Sequence, residues 1–281
     1  MIIVRGGGDL ATGTIHRLWS AGFPVLVLET EHPAAIRRQV SVCEAVYDGE
    51  TVVEGMRAVR IEKPDEAMEV IRSGDVPVLV DPEGKAIGYF RPGIVVDAII
   101  AKKNMGTYRD MAPLTIALGP GFVAGKDVDV VIETKRGHNL GRVIRSGSAL
   151  PNTGIPGMIG GFAAERVIHA AGAGIFRNTG RIGDIVEYGD EIAQIEKADG
   201  SRLPVTAPIP GIVRGLLREG YPVTKGFKVA DIDPRIGELS NCFTISDKAR
   251  CIAGGVLEAA VKYFSAVQND WEKEKEIPCS E

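Results

Sequence analysis

The stretch Met1-Ile-Ile-Val-Arg-Gly-Gly-Gly-Asp-Leu-Ala-Thr-Gly13 opens the chain and decides its fold. A short apolar run at residues 2–4 breaks into three glycines at residues 6–8 and then continues as a helical pattern. A second apolar run, residues 24–28, ends at Glu29. This order of strand, glycine-rich turn, helix, strand and acidic residue is how a dinucleotide-binding βαβ unit begins. The sequence therefore predicts an α/β fold with a Rossmann-like, mostly parallel sheet.

The glycine-rich turn is the first candidate binding site. Gly6 suits the tight turn out of the strand, and Gly8 would let a pyrophosphate approach the backbone at the start of the helix. Glu29 could accept hydrogen bonds from a ribose 2′-OH, which favours NAD over NADP. Asp9 places a negative charge close to that phosphate and could instead cap the helix. The candidate cofactor-binding residues are Gly6, Gly7, Gly8, Asp9, Ala11, Thr12 and Glu29, and a purely structural turn is the alternative.

Composition excludes several classes of function. The formal net charge of −4 gives no electrostatic footprint for nucleic acid. No apolar run approaches the roughly 20 residues of a membrane span, and the first residues already form a core strand rather than a leader, so we expect a cytoplasmic protein. The four cysteines lie far apart and the four histidines are scattered, so no metal site is expected.

Strand and helix patterns alternate after this unit, which predicts a mostly parallel sheet. Residues 33–39 are interpreted as a short helix, residues 45–47, 58–61, 76–80, 114–118 and 128–132 as strands, and residues 65–73 as an amphipathic helix. We expect a nucleotide-binding domain over residues 1–125. A hairpin at residues 135–144, a linker and a helix from Pro156 to Ala171 are expected to fill residues 126–172.

Charged and glycine positions in this region supply a second set of candidates. Asp97 interrupts an apolar run and needs a partner, for which Lys102 or Lys103 is available; it either forms a local salt bridge or points into a cleft. Glycines after the 114–118 strand could present amides to an anion, and two arginines flank a histidine at the hairpin turn. This second candidate set is Asp97, Lys102, Asn104, Gly119, Gly121, Arg136, His138 and Arg142.

A short repeat marks the C-terminal half of the chain. Gly183 and Gly220 lie 37 residues apart, as do Val186 and Val223, Gly189 and Gly226, and Ile195 and Ile232. Units this short cannot each hold a core, so the two copies should pair face to face. The pattern, with Ala-Pro-Ile-Pro-Gly-Ile-Val at residues 207–213 between the copies, resembles the lipoyl and biotinyl barrel-sandwich domains. That resemblance implies a barrel-sandwich hybrid domain over residues 173–236.

The resemblance also bears on a covalent cofactor. In the lipoyl pattern the modified lysine stands where this chain has Asp199, and Lys197 is out of place. We therefore expect no lipoyl or biotinyl group and a domain used for packing or docking.

The C-terminal region reads as one amphipathic helix. Ser246 is a plausible N-cap, and a stripe of apolar residues follows it: Ala249, Ile252, Ala253, Val256, Leu257, Ala260 and Phe264. We expect residues 237–268 to dock on the α/β domain and residues 269–281, which are charged, to form a frayed tail.

Six motifs occur together in a distinctive order. They are Gly6-Gly-Gly-Asp-Leu-Ala-Thr-Gly13, Val96-Asp-Ala-Ile-Ile-Ala-Lys-Lys-Asn104, Gly119-Pro-Gly-Phe122, Arg136-Gly-His-Asn-Leu-Gly-Arg-Val143, Pro151-Asn-Thr-Gly-Ile-Pro-Gly157 and Ile245-Ser-Asp-Lys-Ala-Arg250. Over nearly its whole length the chain resembles the YqeB-type accessory proteins of selenium-dependent molybdenum hydroxylase systems. The resemblance implies a maturation role akin to that of the accessory factors of xanthine dehydrogenase, and it fixes neither a reaction nor a catalytic residue.

Three functions follow as hypotheses. The first is a maturation factor that binds a phosphate-containing small molecule, a nucleotide or a molybdenum cofactor, and contacts a molybdenum hydroxylase subunit. The second is an NAD-dependent oxidoreductase with Asp97 or His138 as proton donor. The third is a non-enzymatic docking protein. The sequence leaves the oligomeric state open, including a homo-oligomer.

Overall fold

The computed structural model describes residues 1–151 and 157–275. Its main body is a nine-stranded sheet in the order β3-β4-β5-β2-β1-β6-β7-β8-β9. These strands are β1 (Ile2–Arg5), β2 (Val25–Glu29), β3 (Glu50–Val53), β4 (Met56–Ile61), β5 (Val76–Val80), β6 (Ile94–Asp97), β7 (Leu114–Leu118), β8 (Val130–Ile132) and β9 (Val143–Ile144). The six pairings from β4 to β8 are parallel, and only the two outermost strands pair antiparallel. The prediction of a mixed α/β fold with a large, mostly parallel sheet is confirmed.

Helices cover both faces of this sheet because its central strands are apolar on both sides. They are α1 (Asp9–Ser20), α2 (Ala45–Asp48), α3 (Ala67–Arg72), α4 (Lys85–Phe90) and α5 (Asp247–Lys275). Ile2 and Val4 of β1 pack in the cluster that contains α1, α2 and α5, whereas Ile3 packs with α3 and α4. The core therefore lies in two layers, one on each side of the sheet.

The C-terminal helix completes one of these layers. The apolar stripe of α5 is buried, with Ile252, Ala253, Val256 and Ala260 fully covered. It packs along α1 and over β7 to β9, because the connections from β6 to β7 and from β7 to β8 contain no α-helix. Helix α5 extends to Lys275, so it includes the first residues of the tail expected at 269–281, and residues 276–281 lie outside the described part.

A second region consists of two four-stranded sheets. One has the order β10-β17-β15-β12 and the other the order β14-β13-β11-β16. The strands are β10 (Val167–His169), β11 (Gly174–Asn178), β12 (Ile185–Val186), β13 (Glu191–Glu196), β14 (Arg202–Thr206), β15 (Gly211–Leu216), β16 (Pro222–Val223) and β17 (Lys228–Asp233).

The two copies of the repeat exchange strands between these sheets. The short strand of each copy pairs with the strand that precedes the short strand of the other copy. Thus β12 pairs with β15, Ile185 opposite Ile212, and β16 pairs with β11, Pro222 opposite Ile175. Both pairs are related by the same 37-residue shift along the chain. Two backbone hydrogen bonds show the same 37-residue shift. The Gly183 amide donates to the Val213 carbonyl and the Gly220 amide donates to the Phe176 carbonyl, each at 2.8 Å. The two sheets also share one buried core, in which Phe176 and Ile195 of one sheet lie with Val213 and Ile232 of the other, in agreement with the predicted packing of the copies.

Three local predictions are wrong. Residues 45–47 form the helix α2 rather than a strand, and residues 33–39 contain only the start of a 3-10 turn, Arg38–Val40. No helix spans residues 157–171, where a 3-10 turn, Ala164–Arg166, leads into β10; residues 152–156 lie outside the described part. Further 3-10 turns are Val42–Glu44, Pro64–Glu66, Arg109–Met111 and Ile236–Cys242. Within the described ranges, no helix has both the length and the apolar character needed to cross a bilayer.

Candidate functional site

The carboxyl ends of the parallel strands form the edge where a ligand is expected. The chain builds the sheet from β1 outward through β2 to β5, and then returns to place β6 on the other side of β1. Open α/β sheets bind ligands at such a reversal, in the crevice beyond the carboxyl ends of the two strands. Here that point lies beyond Arg5 and Asp97, where the glycine-rich turn leaves β1 and enters α1.

The three glycines of the turn serve different purposes. Gly6 has φ +98°, and a Cβ there would lie 3.0 Å from the Ala98 carbonyl oxygen. A Cβ on Gly7 would lie 2.9 Å from the Cys43 amide nitrogen. Gly8 has an ordinary φ of −68°, and its Cβ position meets no atom within 4 Å. Gly6 and Gly7 are thus required by contacts within the protein, whereas the space in front of Gly8 is open.

The first turn of α1 is uncapped. Gly8 is the N-cap residue and has no side chain to accept a bond from the first turn. The first α-helical bond is the one from the Thr12 amide to the Gly8 carbonyl, at 2.8 Å. Among the described residues, the amides of Gly8, Asp9 and Leu10 donate to no protein acceptor. These N–H groups carry the positive end of the helix dipole and suit an anion.

Asp9 does not cap α1. Its carboxylate is about one-third exposed and lies 3.5 Å from Nη1 of Arg37. The Arg37 side chain is only 6% exposed, and its other terminal nitrogen donates to the carbonyls of Asn241 and Thr244. Arg37 thereby connects the start of α1 to the segment that precedes α5.

Glu29 holds the turn. Its Oε2 accepts the Gly7 amide at 2.7 Å, and its Oε1 accepts the Thr30 amide at 2.8 Å. Burial raises the pKa of Glu29, and the two amides oppose that rise. Because both oxygens accept bonds from the protein's own backbone, Glu29 acts as a brace of the turn in this structure.

Ala11 and Thr12 are both buried in the first turns of α1. The Thr12 hydroxyl lies 2.9 Å from the Gly8 carbonyl and 3.2 Å from the Gly7 carbonyl, and it accepts the Val42 amide at 3.0 Å. Thr12 therefore binds the turn to the loop after β2, while Ala11 packs in the core beside the sheet.

Asp97 has a partner other than the predicted lysines. Its Oδ2 accepts the Thr107 hydroxyl, whose oxygen accepts Nη1 of the buried Arg5, with both distances 2.5 Å. Burial raises the pKa of Asp97, while Thr107 and Arg5 act in the opposite direction. Lys102 is exposed in the loop, and it forms no ion pair with Asp97. The prediction of a lysine partner is wrong, because the loop carries Thr107 to the carboxylate instead.

Asn104 shapes that loop. Its side-chain oxygen accepts the amides of Gly106 and Thr107, both at 2.8 Å, and its amide nitrogen donates to the Thr107 carbonyl at 2.7 Å. Asn104 thus positions the hydroxyl that reaches Asp97. Ile100 and Lys102 in the same loop have positive φ, +58° and +62°, which is costly for a β-branched residue such as Ile100.

The glycines after β7 are packing positions. The Gly119 amide donates to the Ile132 carbonyl at 2.9 Å, and a Cβ at residue 119 would lie 2.5 Å from Oγ1 of Thr134. A Cβ on Gly121 would lie 2.8 Å from the backbone of Lys103. The Gly119 amide is therefore already bonded within the sheet rather than turned toward an anion.

The basic residues of the 135–144 hairpin do not converge. Arg136 makes two bonds to the Asp247 carboxylate, at 2.6 and 3.1 Å, which lowers the pKa of Asp247 to about 2. Arg142 donates to the Asn139 side chain at 3.1 Å, and His138 is exposed. This turn packs against α5, where a Cβ on Gly255 would lie 2.3 Å from the Gly141 carbonyl oxygen.

Sequence reasoning missed two cations beside the turn, Arg37 and Lys248. Lys248 stands in the first turn of α5 and is half-buried, and burial lowers its pKa. Its motif, Ser246-Asp-Lys-Ala-Arg250, was a visible signal, but its distance in sequence from residues 6–13 hid the proximity.

Other concave or acidic parts of the surface offer no comparable arrangement in the described ranges. Two surface depressions lie elsewhere, one between α4 and residues 106–113 and one between Arg38 and residues 178–182. Within the part of the chain that the structure covers, no three His, Cys, Asp or Glu side chains are grouped so that they could hold a metal ion.

Comparison with known proteins gives one close relative. No protein-family model matches the chain. The chain is 51% identical over 259 residues to "Uncharacterized protein YqeB" of Escherichia coli strain K12, an alignment that covers 92% of this chain and 47% of YqeB. The chain thus spans about half the length of this curated relative.

Solved structures resemble the chain only weakly. The apo structure of the ectoine utilization protein EutE (DoeB) from Ruegeria pomeroyi is 10% identical, with 82% of this chain and 85% of that one covered and a TM-score of 0.28. An aspartoacylase family protein from Mesorhizobium loti is 12% identical, with 82% and 84% covered and a TM-score of 0.28. TM-scores this low support no inference about chemistry.

Proposed function

We propose that the chain is a YqeB-type accessory protein that helps to mature a selenium-dependent molybdenum hydroxylase. In this proposal it binds a nucleotide or a molybdenum-cofactor-type ligand through phosphate groups at the start of α1. The observation that carries the proposal is the uncapped N-terminus of α1, which stands where the strand order reverses.

The unbonded amides at the N-terminus of α1 favour binding of a phosphate group. The amides of Gly8, Asp9 and Leu10 point away from the helix with no protein acceptor in the described ranges. Backbone amides and the helix dipole together favour a negatively charged group there. The open space in front of Gly8 would let that group reach the backbone.

Similarity supports the choice of ligand and partner. The identity to YqeB extends over 92% of the chain. The six motifs in their order resemble those of the YqeB-type accessory proteins. Because YqeB itself is named as uncharacterized and is about twice as long as the matched region, the cofactor and the hydroxylase subunit are both part of the proposal.

The two-sheet region would serve as the docking module. Its internal repeat and exchanged strands support a barrel-sandwich hybrid domain over residues 173–236. Asp199 stands at the position of the modified lysine, so this domain would carry no lipoyl or biotinyl group. Contact with a hydroxylase subunit is the role that remains for it.

The oxidoreductase alternative gains no support from the site. Glu29, the residue expected to bind a ribose of NAD, holds the backbone of its own turn. Asp97 and Thr107, in the core, are bonded to each other. Asp97, one of the two proton donors expected for that reaction, is therefore engaged inside the protein.

Equilibrium binding tests the proposal. The full chain is titrated with a purified molybdopterin dinucleotide cofactor, with ADP and with NAD⁺, and separately with the apo-hydroxylase subunit. We expect saturable binding of the cofactor and of the subunit, with the cofactor site lost in Gly8→Leu. No affinity for the cofactor and none for a hydroxylase subunit would remove the proposal. A subunit complex that forms without cofactor binding, and survives Gly8→Leu, would support the pure docking protein.

A further inference from the structure

Two helices begin side by side at the proposed ligand site. Gly13 of α1 faces Ala249 of α5, and further along the Phe23 ring, just after α1, stacks on Phe264 with 5.4 Å between ring centroids. The two helices therefore run in the same direction. The positive ends of both dipoles lie together at the carboxyl edge of the sheet.

The N-termini of the two helices are capped differently. In α5 the Ser246 side chain accepts the Ala249 amide at 3.1 Å, and the Ser246 carbonyl accepts the Arg250 amide at 2.9 Å. In α1 the cap position is Gly8, which offers no side chain. One of two neighbouring helices is thus capped in the ordinary way, and the other is left open.

Lys248 lies in the first turn of α5, where the helix dipole is unfavourable for a positive charge. A cation in the first turn of a helix meets the positive end of the dipole, which costs rather than gains free energy. The carboxylates that act on Lys248 are Asp9, Asp247 and Glu133. Asp247 is bonded to Arg136, and Glu133 accepts the amides of Lys135 and Leu150.

These partners leave the ammonium group of Lys248 without an ion pair in the described part of the chain. A half-buried ammonium group in such a field is stabilised by an anion from outside the protein.

Arg37 supplies an independent observation at the same place. Its side chain is more than nine-tenths buried, and its Nη1 lies 3.5 Å from the carboxylate of Asp9, the first residue of α1. Its Nε is buried and has no hydrogen-bond acceptor among the described residues. A second cation, from a different element, is therefore fixed beside the open helix end with part of its donor capacity unused.

We infer that Lys248 and Arg37, together with the amides of Gly8 to Leu10, recognise the diphosphate group of a small molecule. This inference rests on the proposed ligand site at α1 and names its ligand class. Cations from two elements flank one helix end, so an anion with charge at both ends fits better than a single phosphate. Glu29 is bonded within its turn, so recognition runs through the diphosphate rather than through a nucleoside ribose.

Titration calorimetry of the full chain with inorganic pyrophosphate and with inorganic phosphate tests the inference. We expect pyrophosphate to bind at least about tenfold tighter than phosphate, a difference of about 1.4 kcal/mol. Lys248→Gln should remove that preference, and Lys248→Arg should keep most of it. Lys262→Gln, at an exposed lysine further along the same helix, is the matched control. Thermal unfolding of each variant verifies that it is folded.

Equal affinities for the two anions in the unchanged protein would overturn the inference, as would a Lys248→Gln variant that behaves like Lys262→Gln. The outcome is separable from that of the proposed function. Pyrophosphate binding that depends on Lys248, without binding of nucleotide, cofactor or hydroxylase subunit, would uphold the inference and remove the proposed function. Cofactor binding that is unchanged in Lys248→Gln would support the proposed function and overturn the inference.

Discussion

Gly13 and Ala249 meet so closely that a Cβ at residue 13 would lie 2.7 Å from the Cβ of Ala249. This contact joins α1 to α5 near the start of both helices and thereby places Lys248 beside the open end of α1. A glycine in the middle of a helix ordinarily lowers stability relative to alanine. Its presence here is explained by the approach of the two backbones.

Two alanine substitutions test this contact. We expect Gly13→Ala to lower the free energy of unfolding by about 1–2 kcal/mol, because the added methyl group overpacks the contact with α5. Gly254→Ala, at an exposed position of α5 with open space around it, should raise stability by about 0.5–1 kcal/mol. Urea unfolding measures both, and equal gains in the two variants would refute the contact.

The Thr107 hydroxyl should be essential to the buried polar network. Thr107→Val leaves Asp97 and Arg5 without their shared partner, and we expect a loss of about 2–3 kcal/mol in the free energy of unfolding. Thr107→Ser keeps the hydroxyl and should cost only about 1 kcal/mol. Denaturant unfolding at neutral pH measures the stability of both variants. A valine variant as stable as the serine variant would contradict the network.

Arg218 connects the two regions of the molecule. It bonds to Glu44, which is buried, at 2.8 Å and to Asp48, and it lies over the Tyr47 ring. Arg218→Ala leaves the Glu44 carboxylate poorly compensated, so we expect a loss of about 2–3 kcal/mol in stability. Arg57→Ala, which removes an exposed network with Glu50 and Asp75, is the control and should cost much less than Arg218→Ala, because water screens exposed ion pairs.

The cost of Arg218→Ala should depend on pH. Burial already raises the pKa of Glu44, and loss of the arginine raises it further. A buried acid with a raised pKa lowers stability once the pH exceeds the pKa of the unfolded chain, because the native state then holds an unfavourable charge or an extra proton. The deficit should therefore be largest at pH 7–8 and shrink as the pH falls toward 5. A deficit that grows on acidification would contradict this assignment.

The Glu29→Gln variant distinguishes two roles of Glu29, one that stabilises the glycine-rich turn and one that binds a ribose. As a brace, Glu29 orders the amides around Gly7, so the variant should weaken pyrophosphate and ADP binding by the same factor. It should also lower the free energy of unfolding by about 1–2 kcal/mol, since one acceptor is lost. Titration of both ligands gives the answer, because an effect on ADP alone would indicate a ribose contact.

Sequence patterns predicted those parts of the molecule that local periodicity controls. The unit β1-α1-β2, the stripe of α5 and the 37-residue repeat are all visible as spacing of apolar and glycine residues. Residues 45–47 were misassigned because three apolar residues fit a short strand as well as one helical turn. The region 157–171 was misassigned because Pro156 resembled a helix start, whereas β10 pairs with β17, some sixty residues later.

The candidate site was predicted only in its local part. The turn itself is readable from residues 6–13, including which glycine would face a ligand. Arg37 and Lys248 reach it from the loop after β2 and from the last helix, and no local pattern shows that approach. The predicted cluster of Arg136, His138 and Arg142 is absent for the same reason. Asp247, at the start of α5, forms hydrogen bonds with Arg136, and no local pattern shows that contact.

Calorimetric titration of a molybdopterin dinucleotide cofactor into Gly8→Leu tests the central claim most directly. Gly8 has an ordinary φ of −68° and open space in front of it, so a leucine there should leave the fold intact and cover the amides. We expect binding to the unchanged protein and to Gly254→Leu, and at least about a tenfold loss in Gly8→Leu, with only a small drop in Tm because leucine is a poorer N-cap residue than glycine. Undiminished cofactor affinity in a folded Gly8→Leu protein would contradict it.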